Sequence, residues 1–147
     1  MATQKQVEEL TALFAEARPE QKNAWQTKPS VDNEGMTGVL IYLYRMDKTV
    51  TAGMISQVMH VTTGRVSVLL KKMEDKGLVV RTAGKKDARV TEVSLTEKGK
   101  NIVEEMQKER NEQMKKLIDT IGMDRLKEYI ETSKEVWKIL TPLKTEL

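Results

Sequence analysis

At 147 residues the chain has the size of one domain with helical extensions. Its 39% hydrophobic content can build a core, although aromatic residues make up only 4%, so packing must rest on aliphatic side chains and nine Met. The absence of Cys excludes disulfides, thiolate metal sites and thiol redox switching, and with His60 as the single imidazole neither a metal nor another cofactor is expected. The net charge of +3 conceals a polarised chain: residues 60–100 hold ten Lys or Arg against five acids, whereas the remainder holds fifteen against seventeen. The middle of the chain would therefore attract a polyanion.

Residues 3 to 17 place Val7, Leu10, Leu13, Phe14 and Ala17 on one face of a first helix before Pro19 interrupts. From Pro19 to Glu34 the pattern fades into a broken helix or connecting loop, where Trp25 either covers a core edge or lines a ligand pocket. Gly35 to Met46 is a dense apolar segment suited to a buried helix, and no phosphate-binding glycine spacing accompanies it. Asp47 to Val50 make a short link, after which Thr51 can cap a helix to about Met59 with Met54, Ile55 and Val58 inward.

The stretch from Val61 to Gly77 organises the rest. Val66, Leu69, Leu70 and Met73 form one apolar stripe, while Gly64, Val68, Lys71 and Asp75 lie opposite, flanked by Arg65, Ser67 and Lys72. Thr62 suits the N-cap and Gly77 the terminator. By itself such a helix is as often a solvated surface as a ligand-binding one. Its neighbour changes the balance, because the helix from Thr51, a tight turn at Met59 to Thr62 and this second helix make a helix-turn-helix. His60 occupies the turn position usually given to Gly and is read as a turn residue, since His tolerates the left-handed region better than most.

After Gly77 the apolar period drops to two. Leu78 to Thr82 and Arg89 to Leu95 suit strands, and between them Ala83 to Ala88 form a hairpin tip ringed by Lys85, Lys86 and Arg89, a basic wing. Asp87 either orients the Arg89 side chain or simply makes the turn. Thr96 then caps a long helix to about Ile121, stopped by Gly122, with Ile102, Val103, Met106, Met114, Leu117, Ile118 and Ile121 apolar. A last helix from Met123 to about Leu140 carries Leu126, Tyr129, Ile130, Trp137 and Leu140. These stripes exceed what a small three-helix domain needs to cover, and the excess points to a dimer interface. With no apolar run of 18 residues and no signal-like start, the expectation is a soluble, cytoplasmic protein without a membrane partner.

The order helix-turn-helix, EDKGLVVR, KKDAR and TEVSLTEKGK resembles the MarR family of bacterial winged helix-turn-helix regulators over roughly residues 35 to 121. Asp87 and Arg89 as D-x-R, followed by Ser94 to Gly99 as SLTEKG, are the specific part of that resemblance. The expected fold is mainly α with a small β-hairpin wing. It would have an N-terminal helical dimerisation segment (1–34), a winged helix-turn-helix domain (35–98) and a C-terminal helical dimerisation segment (99–147). The resemblance implies an obligate homodimer, a recognition helix in the major groove and a wing arginine in the minor groove. It also implies repression relieved by a small, often aromatic, effector, for which no residues are assigned. His60 in place of a turn glycine and the irregular Pro19 to Pro29 region depart from the family pattern.

On this reading the partner is double-stranded DNA. Thr62, Thr63, Ser67, Lys71 and Lys72 would hold phosphates, Gly64 would let the backbone approach the groove wall, and Val68 could meet a thymine methyl. Arg65 is the candidate for guanine, since a guanidinium can donate to both O6 and N7. Arg89, with Asp87, would enter a narrow minor groove while Lys85 and Lys86 grip the flanking backbone. The alternative is a winged-helix module for another protein or RNA. Catalysis is not expected: adjacent acids such as Glu104 and Glu105 point about 100° apart on a helix, and no nucleophile-and-base set accompanies them.

Overall fold

Apolar residues recurring at helical spacing become α1 (Gln4–Ala17), α2 (Asn33–Arg45), α3 (Ala52–Met59), α4 (Thr63–Asp75), α5 (Glu97–Ile121) and α6 (Met123–Leu140). The short extended stretches become β1 (Val50–Thr51), β2 (Val79–Ala83) and β3 (Thr91–Leu95). The computed structural model describes residues 1–17, 33–46 and 48–140. The irregular stretch expected after Pro19, with Trp25, lies outside the described residues up to its last two positions, which open α2.

The chain divides into two compact units, one formed by Met1–Asn23 with Lys108–Leu147 and the other by Ala24–Gln107. In the second unit, Met36, Val39, Leu40 and Leu43 of α2 pack with Ile55, Val66, Leu69, Leu70, Met73, Leu78, Val79, Val93 and Val103. Val66, Leu70 and Met73 are fully buried, as the α4 stripe requires. In α3, Ile55 is buried but Val58 is 39% exposed, so the inward face of α3 is narrower than its spacing suggests. In the first unit, Val7, Leu10 and Ala17 of α1 pack with Ile118 of α5 and with Leu126 and Ile130 of α6. Lys127 of α6 donates to Glu9 of α1 at 2.7 Å, and that hydrogen bond raises the Lys127 pKa above the ordinary lysine value.

The last stretch of α6 differs from its sequence reading. Tyr129, Trp137 and Leu140 share helical spacing with Leu126 and Ile130, yet they are 59%, 47% and 64% exposed in the single chain, as is Ile139 at 83%. They lie outside the buried cluster that Leu126 and Ile130 form with α1 and α5.

The sheet has the order β1-β3-β2, both pairings antiparallel. The sequence reading takes the β1 region for a plain link because two residues carry no detectable alternation; the strand exists through its pairing of Val50 with Val93 and Thr51 with Glu92. β2 and β3 run in register from Val79↔Leu95 to Ala83↔Thr91, so Ala83 belongs to the ladder. Arg89 and Val90, expected in the second strand, lie instead in the loop before Thr91. The cause is local: Asp87 accepts from the Arg89 amide through Oδ1 at 2.9 Å and from the Val90 amide through its carbonyl at 3.1 Å, curling the backbone away from extension.

His60 takes φ 53° and ψ 43°, the one non-glycine residue with positive φ among those described. A β-branched side chain there would crowd its own carbonyl, so His60→Val should lower stability by about 1–2 kcal/mol, while His60→Gly should not lower it. Urea-unfolding midpoints of the two variants check this.

Candidate nucleic-acid interface

The helix-turn-helix is built from capped ends. Thr51 Oγ1 accepts from the Met54 amide at 3.2 Å and starts α3. At its other end the Val61 amide donates to the Ser56 carbonyl at 3.3 Å, and the Ser56 hydroxyl donates to the Val61 carbonyl at 2.6 Å. Thr62, extended at φ −68° and ψ 153°, then starts α4 by accepting from the Arg65 amide at 3.3 Å. With its oxygen engaged as a cap, the Thr62 hydroxyl keeps its proton to donate outward.

At the C-terminus of α4 the Leu78 amide donates to the Met73 carbonyl and the Gly77 amide to the Glu74 carbonyl, both at 2.9 Å. This is a Schellman closure, and it needs the φ of +73° that Gly77 supplies. The turn is held from α5. The Thr96 hydroxyl donates to the Gly77 carbonyl at 2.6 Å, and Lys98 Nζ donates to the Lys76 carbonyl at 2.9 Å. Both ends of α4 are therefore fixed by hydrogen bonds, and its inner stripe by packing.

What α4 turns outward is the set expected from the sequence. Thr62, Thr63, Gly64, Arg65, Ser67, Val68, Lys71 and Lys72 are all exposed, Val68 by 58%. A Cβ built on Gly64 would meet nothing within 4 Å, so packing inside the protein does not demand glycine there. The wing tip presents Lys85, Lys86, Asp87 and Arg89, likewise exposed. Gly84 turns the chain where a Cβ would come within 2.5 Å of the Asp87 carbonyl oxygen, and its amide donates to the Val90 carbonyl at 2.8 Å. Glu92 Oε1 accepts from the Lys85 amide at 3.4 Å. Of the two roles open to Asp87, the structure shows the turn: its carboxylate meets the Arg89 amide.

One feature of this surface escapes the sequence reading. Glu74, in the last turn of α4, accepts from Arg81 of β2 three times: from the amide at 3.2 Å, from Nε at 3.3 Å and from Nη2 at 3.3 Å. The hydrogen bond from the Arg81 side chain is the main reason that the Glu74 carboxyl lies below its ordinary pKa, with partial burial opposing. Because the pKa is lowered in the folded state, the pair stabilises the fold above the ordinary carboxylate range, and that stabilisation fades as acidification passes the lowered value. Arg81, counted among the ten basic residues of the middle segment, is thus committed inside the protein.

Among the described residues no group of three or more His, Cys, Asp or Glu could hold a metal, and no helix is long and apolar enough to cross a membrane. Glu104 and Glu105 are both exposed, and the Tyr44 hydroxyl donates to Glu104 at 3.3 Å.

Comparison with known proteins agrees with this architecture. Residues 37–90 match the model of the MarR family. The HTH-type transcriptional regulator YdgJ of Bacillus subtilis, itself uncharacterized, is 28% identical over 86 residues, which are 58% of this chain and 52% of YdgJ. The chain thus spans about half the length of that curated relative. Streptococcus pneumoniae FabT, solved in complex with DNA, shares the fold with a TM-score of 0.58 at 21% identity, over 90% of this chain and 93% of FabT. The Staphylococcus aureus MepR–DNA complex matches with a TM-score of 0.50 at 25% identity, over 78% of this chain and 90% of MepR. The matched residues 37–90 carry the two capped helices joined at His60, the Schellman turn at Gly77 and the D-x-R wing, and over that stretch the chain is similar to the MarR family.

Proposed function

We propose that this chain is a transcriptional regulator that binds double-stranded DNA in a sequence-specific manner as a homodimer, on an inverted repeat. The observation that carries the reading is the division of α4: four stripe residues are buried, and the small, hydroxyl and basic residues of the other side are exposed together with the wing lysines and Arg89. A convex, capped helix with basic flanks beside a basic hairpin fits a major groove and its adjacent minor groove. MepR, matched at 25% identity and a TM-score of 0.50, was solved in complex with DNA, which supports DNA as the partner.

In this arrangement Arg65, in the first turn of α4, reads a base edge, while Thr62, Thr63, Ser67, Lys71 and Lys72 set register on phosphates. Arg89 enters the minor groove from the wing tip, flanked by Lys85 and Lys86. The dimer is supported by the apolar side chains that α6 leaves exposed, Tyr129, Val136, Ile139 and Leu140 among them. Two-fold symmetry then places half-site centres about one helical turn, roughly 10 bp, apart. The domain roles follow, with residues 35–98 reading DNA and the segments 1–34 and 99–147 dimerising. Action as a repressor and release by a small aromatic effector rest on the family resemblance alone. No catalytic role is proposed.

Selection of binding sites from random duplexes tests the reading and should return an inverted repeat. Against the selected site, Arg65→Ala should cost about 1–3 kcal/mol and relax preference at one base pair per half-site; uniform weakening on all sequences would make Arg65 a phosphate contact. Gly64→Ala should split in sign. It should raise thermal stability, by up to about 1 kcal/mol in an exposed helical turn, yet weaken operator binding because the new methyl occupies the approach to the groove. Unchanged binding would show that the α4 backbone stays clear of the DNA.

A further inference from the structure

Glu74 is an acid on the helix assigned to a polyanion, which as a bare surface charge would only oppose binding. Its geometry suggests another use. β2 is an edge strand, and the Arg81 amide that Glu74 caps is the outward one, directed away from β3. One carboxylate thereby satisfies an edge N–H and grips the guanidinium of the same residue at two points. Arg81 pairs with Val93 in the β3 ladder, so holding Arg81 holds the hairpin whose tip carries Lys85, Lys86 and Arg89. The other end of the clip is α4 itself, two turns beyond Arg65. Beside the clip, α4 and β2 are joined by the short turn at Lys76 to Leu78 and by the α4 stripe packing in one core with Val79 at the start of β2, whereas Arg81 lies two residues further along the strand toward the wing tip.

We propose that Glu74 and Arg81 are a positioning pair for DNA recognition, fixing the wing at one angle to α4 so that Arg65 and Arg89 reach their two grooves on the same duplex without being ordered at binding. The inference rests on the DNA-binding reading and assigns no DNA contact to either residue. Exposed ion pairs are ordinarily worth little, and this one is partly exposed, at 24% for Arg81 and 39% for Glu74. What sets it apart is that three hydrogen bonds converge from one residue, one of them from the main chain, which a lysine at position 81 could not reproduce in fork geometry.

The sign of the charge change gives a clean test. Glu74→Gln removes a negative charge from a surface facing phosphates, so simple electrostatics makes it bind every duplex as well or better. Positioning makes it bind the selected operator about threefold or more weakly while a scrambled duplex is bound equally or more tightly, a change in the range exposed pairs can supply. The loss should also run through the wing: in an Arg89→Ala background, Glu74→Gln should cost little further, because the group it aims is gone. Equal or tighter operator binding by Glu74→Gln, or a full additive loss in the Arg89→Ala background, would overturn the proposal. A wild-type protein that does not distinguish operator from scrambled duplex would instead overturn the DNA-binding reading beneath it.

Discussion

The structure depends on burying one side of a thirteen-residue helix. Val66, Leu70 and Met73 have no measurable contact with solvent, and the residues around them come from α2, α3, both long strands and the start of α5. Removing a side chain such as Leu70 would cost about 2–5 kcal/mol, a large part of the stability of an ordinary domain. With that side committed, the rotation of α4 about its axis is set, and the residues it shows to solvent are no longer a matter of choice. The surface proposed for DNA recognition is the remainder after the core has been satisfied.

Fixing a helix in rotation does not fix its ends, and here hydrogen bonds complete the task. Thr62 holds the first turn, Gly77 closes the last, and Thr96 and Lys98 bind the carbonyls that the closure leaves at the surface. The wing is treated in the same way. Gly84, Asp87 and Val90 tie the tip to itself, and Glu74 ties the strand below it to α4. The exposed basic side chains of α4 and the wing are thus carried on backbone that hydrogen bonds hold in place. Such ties would matter to the proposed DNA binding, because ordering a loop at binding subtracts from affinity.

Much of this is legible in the chain because it is local. The caps at Thr51, Thr62 and Thr96, the stop at Gly77 and the stripe of α4 are all decided within a few residues, and they fall where the sequence places them. What escapes is decided at a distance. The two residues of β1 are a strand only because Val93 lies more than forty residues on in the sequence. Glu74 looks like one more solvated acid until β2 brings Arg81 beside it. Tyr129 and Trp137 share a helical period with Leu126 and Ile130, but period alone does not say how wide a stripe one chain will bury. At the wing, alternation carried the strand back to Arg89, and the hydrogen bonds of Asp87 end it sooner. The candidate recognition residues were readable for a simple reason: whatever is polar and opposite a buried stripe must face out.

The central claim is that a cationic face, made from α4 and the wing, engages duplex phosphates while Arg65 and Arg89 read the grooves between them. The most direct measurement is the affinity for a selected operator duplex as potassium chloride is raised, compared with a random duplex of equal length. The account predicts a linear fall of log affinity with log salt, with a slope near 0.9 per phosphate neutralised, and a preference for the operator that survives at high salt. An affinity indifferent to salt, or one that falls in the same way for both duplexes with no preference at any concentration, would contradict it.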